Sequence, residues 1–197
     1  VSNVEEIRLK AFNTATLNLA NTNGLNVLEN NGSIAGLTFS NAAASLDLII
    51  DGVNNQSTTL SYSDSANVTL ADVQNLTLDG ATNDAVVTFT GTNDIETLAV
   101  TVENNASDVQ VGGTAADGVK TVTFAGDQDV EFDDTDGPTP MSAIETVEAS
   151  DFTGSLTLDL SNGGTNDLDV TGGTGDDSVT IRNFDKDDVI DLGEGED

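Results

Sequence analysis

Apolar and polar residues alternate with a period of two along most of the chain. Leu156, Leu158 and Leu160, for example, alternate with Thr157 and Asp159. This alternation is typical of β-strands with one buried face, whereas a helix repeats its apolar positions every three to four residues. Clusters of Asn, Asp, Gly and Thr, among them Asn30-Asn31-Gly32, favour turns and separate the runs. The pattern predicts an all-β protein without a long helix, with further strands in residues 15–19, 46–50, 86–89 and 109–111 and at Val68 and Leu70.

One hexapeptide pattern recurs along the chain: an apolar residue, two polar residues, an apolar residue, a polar or small residue, and an apolar or small residue. It occurs at residues 4–9, 73–78, 95–100, 119–124 and 144–149, and the last four copies begin 22, 24 and 25 residues apart. Such a period predicts stacked repeats. We therefore expect a parallel β-helix, or β-solenoid, with two or three strands per turn.

An antiparallel β-sandwich is the alternative, because short strands with frequent turns also predict that fold. The solenoid is favoured because the hexapeptide keeps its internal spacing while the segments between copies vary in length. Composition agrees: 37% of residues are hydrophobic but only 4% are aromatic, which suits a thin interior of Val, Leu and Ile. Asn and Thr at matching positions are expected to stack as ladders between turns.

Charge narrows the choice of partners. The chain has 35 acidic and five basic residues, a net charge of −30. Self-repulsion of this size destabilises a compact state unless cations offset it. It also argues against binding nucleic acid or inserting into a membrane, since phosphate and anionic lipids attract basic residues. The absence of Cys and His excludes disulfides and the usual zinc, haem and iron–sulfur ligand sets.

The most specific motif lies near the carboxyl end. Residues 172–180 read GGTGDDSVT and match the nonapeptide G-G-x-G-x-D-x-U-x, in which U is apolar. Residues 163–171 keep the glycine pair and the apolar eighth position, but Leu168 replaces the aspartate at position six. Asp188 and Asp197, nine residues apart, also read as sixth-position aspartates. Asp177 and Asp188 are eleven apart, which indicates a two-residue insertion.

This density of hard oxygen donors suits Ca²⁺. We expect carboxylates from Asp177, Asp188 and Asp197 and backbone carbonyls from Gly173 and Gly175 to bind the ion. Asp167, Asp169 and Asp176 are candidate additional ligands. Acidic turns without an ion are the alternative.

A second acidic segment spans residues 127–136 and lacks the spacing of an EF-hand. Whether it binds an ion or is a solvated acidic loop stays open. Its acidic residues are Asp127, Asp129, Glu131, Asp133, Asp134 and Asp136.

Residues 161–197 resemble the calcium-binding RTX repeats of bacterial proteins exported by type I secretion. Residues 181–192, IRNFDKDDVIDL, are similar to the I-x-x-F-x-x-x-D-x-I-D-L segment of that family. The resemblance implies β-roll turns that fold with Ca²⁺ outside the cell. Residues 1–160, taken as a repetitive solenoid region, resemble bacterial surface-layer proteins and adhesins in composition.

These features predict a non-catalytic structural component of a secreted, calcium-dependent surface layer or extracellular matrix. We expect self-association into a lattice or fibre, and a cell-surface polysaccharide is a further candidate partner. An adhesin binding module, or the calcium-binding tail of an exported enzyme, are the alternatives. Because the chain starts at Val1 and stops part-way through a unit at Asp197, we expect it to be a piece of a longer protein.

Overall fold

The computed structural model describes residues 4–63, 72–92, 95–134, 139–163 and 166–197, so the predicted strand at Val68 and Leu70 lies outside the described residues. Within them the chain forms seventeen strands and no helix. The strands are β1 (Glu6–Leu9), β2 (Ala15–Asn18), β3 (Val27–Asn31), β4 (Leu37–Ala42), β5 (Asp47–Asp51), β6 (Ser57–Tyr62), β7 (Val73–Asp79), β8 (Ala85–Thr90), β9 (Thr97–Val102), β10 (Ser107–Gly112), β11 (Thr121–Gly126), β12 (Val130–Asp133), β13 (Thr146–Glu148), β14 (Leu156–Leu160), β15 (Asp169–Thr171), β16 (Ser178–Ile181) and β17 (Val189–Asp191).

The strands form two parallel sheets. Odd-numbered strands make a nine-stranded first sheet, and even-numbered strands make an eight-stranded second sheet. All the strand pairings in the described residues are parallel, and each joins strands two places apart in the chain. A chain that alternates between two such sheets winds as a solenoid with two strands per turn. The predicted β-solenoid is therefore confirmed, and the antiparallel sandwich is excluded.

The recurring hexapeptides all contribute to the first sheet. Leu98, Val122 and Val147, the fourth residues of three copies, are partners in register. The copy at residues 73–78 was misaligned, because Val73 pairs with Thr97, two residues beyond the position that the pattern predicts. Partners in register lie 20 to 29 residues apart, as for Val170 with Ile190 and Leu60 with Phe89.

Apolar side chains stack in columns inside both sheets. A column of the first sheet and a column of the second consist of Leu28, Leu48, Leu76, Val100 and Phe124, and of Phe39, Leu60 and Phe89. These side chains are almost completely buried. Phe124 meets Phe132 of the second sheet edge to face, with ring centroids 5.3 Å apart. The interior is thus thin, as the low aromatic content predicted.

Polar ladders connect successive turns, which confirms the expectation for Asn and Thr. Asn41 Nδ2 donates to Asn18 Oδ1 at 3.1 Å, and Asn54 Nδ2 donates to Thr82 Oγ1 at 3.0 Å. Asn30 differs from its predicted place in a turn. It lies fully buried within β3, and its Nδ2 donates to Thr58 Oγ1 of the second sheet at 2.6 Å.

One interior position of the second sheet is acidic. Asp133 pairs with Asp159, and the next residue, Asp134, donates its backbone N–H to the Asp159 carbonyl at 3.1 Å. The ladder therefore places Asp134 beside the buried Leu160. The Asp134 side chain is 0% exposed, and neither carboxylate oxygen has a partner of ordinary hydrogen-bond geometry in the described part of the chain. Burial raises the pKa of Asp134 to about 7; the Asn162 backbone amide partly opposes this, and Asp133 and Asp159 reinforce it.

The metal-free protein is expected to lose stability as the pH rises from 5 to 8, because Asp134 then ionises in the folded state. The unfolded carboxyl ionises near pH 4, whereas the folded one holds its proton to about pH 7, so folding is favoured at low pH and weakened as pH rises. Between pH 5 and 8 we expect a loss of about 2–3 kcal/mol in the wild type that Asp134→Asn does not show. Urea unfolding in EDTA measures it, and parallel pH curves for the two proteins would contradict the prediction.

Candidate metal centres

The turns that lead from the first sheet to the second sheet lie one above another along one edge of the solenoid, which we call the first corner. Near the carboxyl end it contains residues 149–155, 172–177 and 192–197. The buried Asp177 holds two of these turns together: its Oδ1 accepts the Leu156 N–H at 2.9 Å, and its Oδ2 accepts the Gly173 N–H at 2.8 Å. Asp177 therefore satisfies two backbone donors inside the turn.

Asp197 repeats this role one turn later. Its Oδ1 accepts the Asp177 N–H at 2.9 Å, and the exposed Asp176 accepts the Glu196 N–H at 2.8 Å. Asp177 and Asp197 are 20 residues apart, which is one turn. Five of the predicted ligands, Gly173, Gly175, Asp176, Asp177 and Asp197, thus lie together at the first corner.

Glycines allow these turns to approach closely. A Cβ on Gly175 would lie 2.2 Å from the Gly154 carbonyl oxygen, and one on Gly195 would lie 2.2 Å from the Gly175 oxygen. The Gly173 carbonyl accepts the Glu194 N–H at 3.0 Å. Each oxygen keeps a second lone pair, so these hydrogen bonds are compatible with a cation held between turns.

The turns that lead from the second sheet back to the first form the opposite edge, the second corner, whose described residues near the carboxyl end are 134, 139–145, 161–163, 166–168 and 182–188. Asp188 lies here, away from Asp177. Its Oδ1 accepts the Leu168 N–H at 2.8 Å and its Oδ2 accepts the Asp185 N–H at 2.7 Å, and these amides lower the pKa of Asp188. Asp188 therefore stacks over Leu168, so the shared sixth position of Asp188 and Asp197 does not bring them together.

Three exposed carboxylates converge at the second corner. Oxygen atoms of Asp167, Asp185 and Asp187 all lie within 4.8 Å of one another. Asp167 was predicted as a ligand, whereas Asp185 and Asp187 were missed. The sequence feature that could have identified them is an Asp-x-Asp pair that lies about one solenoid turn after Asp167. Lys186 forms an ion pair with Asp187, which offsets only part of the charge.

The remaining predicted residues lie apart from these groups. Asp169 starts β15, where it is exposed and pairs with Thr146 and Val189. Asp129 of the acidic segment accepts the Ser155 N–H at 2.9 Å, and Asp136 lies outside the described residues. Residues 127–136 therefore do not form a single acidic loop. Strand β12 runs through the segment and places its described side chains partly on the outer face and partly in the interior.

Carboxylates and carbonyls dominate both corners, so the chemistry they offer is the binding of hard cations. Comparison with protein-family models, curated proteins and solved structures finds no match. In the part of the chain that the structure describes, no helix has the length and apolar character of a membrane span.

Asp177→Ala is expected to destabilise the protein by about 2–4 kcal/mol even without metal, because it leaves the buried N–H groups of Leu156 and Gly173 without an acceptor. Asp176→Ala, a neighbouring exposed aspartate, is the matched control and is expected to cost less than about 1 kcal/mol. Urea denaturation in EDTA compares them. Equal losses would show that Asp177 does not clamp the turns.

Gly175→Ala tests the close approach of the turns. A methyl group 2.2 Å from a backbone oxygen forces the turns apart, and we expect a loss of about 3 kcal/mol, at the upper end for overpacking. Gly24→Ala provides the control, because its φ is +80° but no atom lies within 4 Å of the added carbon. It is expected to cost about 1 kcal/mol from backbone strain alone. Thermal unfolding ranks the two, and the reverse order would refute the stacking argument.

Proposed function

We propose that this chain is a non-catalytic structural segment of a secreted bacterial surface layer or extracellular matrix, and that Ca²⁺ stabilises and assembles it. The observation that carries the proposal is the convergence of Asp167, Asp185 and Asp187 between successive turns of the second corner. The resemblance of residues 161–197 to RTX repeats adds the choice of calcium and the export route.

The three carboxylates suit one calcium ion. Ca²⁺ binds oxygen ligands at about 2.3–2.6 Å, so two ligands of one ion lie up to about 5 Å apart. Carboxylate oxygens within 4.8 Å of one another meet that requirement with little movement. The Lys186 side chain is 82% exposed, so it can leave Asp187 when an ion arrives.

An ion at this position joins one turn to the next. Asp167 precedes β15, whereas Asp185 and Asp187 precede β17, and the two strands are neighbours in the first sheet. An ion that binds only the folded form stabilises it by RT ln(1 + [Ca²⁺]/Kd). With the affinity of about 10⁻⁴–10⁻³ M found in extracellular modules, the segment folds fully outside the cell and stays loose in a low-calcium cytosol.

The outer face of the second sheet supports calcium-dependent self-association. Asp108 and Glu131 are partners in register there. Partial burial, Asp108 and Asp84 raise the pKa of Glu131, so the face concentrates negative charge. Divalent cations between two such faces offset this repulsion, and we propose this as the lattice contact. A cell-surface polysaccharide remains the second candidate partner.

Calcium dependence tests the proposal. We expect about 5 mM CaCl₂, roughly tenfold above the typical affinity of such modules, to raise the unfolding temperature and to produce assemblies that EDTA reverses. Asp185→Asn/Asp187→Asn should reduce the thermal gain by about 1–2 kcal/mol, a shift of a few degrees, because one site is lost.

The control is Glu103→Gln/Glu148→Gln, which removes the same charge from two exposed positions outside the candidate sites. Circular dichroism measures folding and light scattering measures assembly. Folding and assembly that are identical in calcium and EDTA would refute the proposal. An equal response of the two double variants would refute the assignment of the ion to the aspartate triad.

A further inference from the structure

The outer face of the second sheet changes character along the solenoid. At β10 and β12 it is acidic, with Asp108 and Glu131 in register. At β2, β4 and β6 it carries no charge: residues 11–46 contain one charged residue, Glu29, and residues 52–63 contain none, although 20% of the chain is charged. Glu29 belongs to the first sheet, and its side chain is buried. An uncharged surface therefore interrupts a strongly acidic protein.

Hydroxyl groups form a regular column on this uncharged surface. Thr16 pairs with Thr38, and Thr38 pairs with Thr59. Thr38 and Thr59 directly precede the buried Phe39 and Leu60, so they point outward. In the described part of the chain, none of the three hydroxyls hydrogen-bonds to another protein group. Because a β-branched side chain has a restricted χ1 angle, the column presents ordered donors and acceptors at intervals of about 4.8 Å.

Amide groups extend the surface toward the second corner. Asn18 and Asn41 are both exposed, and Asn41 Nδ2 donates to Asn18 Oδ1 at 3.1 Å. A β-bulge lies here, since the register of β4 with β6 shifts between Phe39 and Ala42. Asn41 has a φ of 60°, a left-handed conformation in which asparagine is enriched. The extra residue of the bulge thus places an exposed amide beside the hydroxyl column.

Two exposed apolar side chains border the column on the opposite side. Phe12 and Ile34 lie on the first corner, just before β2 and β4, and are 67% and 63% exposed. The Ile34 N–H donates to the Ala11 carbonyl at 2.9 Å, so their turns are stacked neighbours. Lys10 Nζ lies 5.8 Å from the centroid of the Phe12 ring and adds a hydrogen-bond donor at this edge. We call the whole strip the hydroxyl face, and it consists of Phe12, Ile34, Thr16, Thr38, Thr59 and Asn41.

We propose that the hydroxyl face binds an uncharged, extended polysaccharide, whose sugar rings pack on Phe12 and Ile34 and whose hydroxyls bond to the threonine column. Such a polysaccharide presents matching groups, apolar C–H faces and hydroxyls that both donate and accept. The repeat of about 4.8 Å between turns is close to the length of one pyranose unit in an extended chain. The inference rests on the polysaccharide partner of the proposed function and needs no ion at the aspartate triad.

Charge argues against the other occupants of this face. The net charge of −30 repels an acidic polysaccharide, and a face without carboxylates offers divalent cations nothing to bridge between two copies. The first sheet also has a threonine column, in which Thr97 and Thr121 are in register. However, Lys120 and Glu145, which form an ion pair, directly precede β11 and β13 there. Removing water from such charges is costly, so this second column serves as a matched control.

Thr38→Val/Thr59→Val tests the hydroxyls, because it keeps the shape of two outward side chains and removes their polar groups. We expect binding to hydroxyethylcellulose, a neutral β-glucan, to weaken roughly tenfold, since hydrogen bonds to the glycan are lost. Thr97→Val/Thr121→Val makes the same change in the column of the first sheet and should bind as the wild type does. Isothermal titration calorimetry in calcium-containing buffer measures binding, and circular dichroism checks that both variants fold.

Phe12→Ala tests the apolar part of the face. We expect binding to weaken roughly tenfold, because an aromatic side chain dominates the contact area of such a surface. Phe184→Ala is the control, since Phe184 is 68% exposed and lies outside the hydroxyl face. Alginate, an acidic polysaccharide, should not bind to the wild type. No binding of the neutral glucan, or an equal loss in the two threonine pairs, would overturn the inference.

Light scattering on the same samples, with and without calcium, separates this inference from the calcium-dependent role. If calcium drives assembly but the neutral glucan does not bind, the hydroxyl face is wrong and the calcium role stands. If the glucan binds through the face while calcium has no effect, the inference stands alone. If no glucan binds and Thr38→Val/Thr59→Val changes the size of the assemblies, the face joins copies of the chain and the inference is wrong.

Discussion

Parallel strands in this protein stack in register, turn upon turn, and this stacking decides where each side chain can lie. Hydrogen bonds between turns hold neighbouring strands about 4.8 Å apart, so each residue sits over a counterpart 20 to 29 residues away. Inside, the result is continuous apolar columns built from few large residues. Outside, it places Asp51 beside Asp79, and burial together with that neighbour raises the pKa of Asp51. Amides relieve part of the repulsion, since Asn31 donates to Asp51 and Asn105 to Asp79.

The all-β solenoid was predictable because the hexapeptide pattern records this stacking directly. The register error at residues 73–78 has a physical cause. Gln74 occupies the interior beside Leu98, where it accepts the Tyr62 hydroxyl at 2.5 Å, while the apolar Val73 is exposed. A buried polar residue with its own partner therefore hid the alignment. Asn30 was misread for the same reason, because its core partner Thr58 is 28 residues away.

The candidate sites were predictable only as far as short motifs reach. The nonapeptide identified Asp177 and its turn. It did not show that one unit covers about half a turn, which sends Asp188 to the opposite corner and brings Asp167 near Asp185 and Asp187. Asp134 was grouped with a surface segment. The alternation of Val130 and Phe132 with polar residues already places Asp134 on the inward phase, but the groups around its carboxylate come from later turns.

Two strands per turn also give the protein a definite mechanical behaviour. The hydrogen bonds between turns run along the long axis of the molecule, so tension along that axis loads the bonds of one turn at a time. Each rupture releases 20 to 29 residues, or about 70–100 Å of extended chain. Under load the protein is expected to lengthen in steps of that size and to dissipate mechanical work at each step.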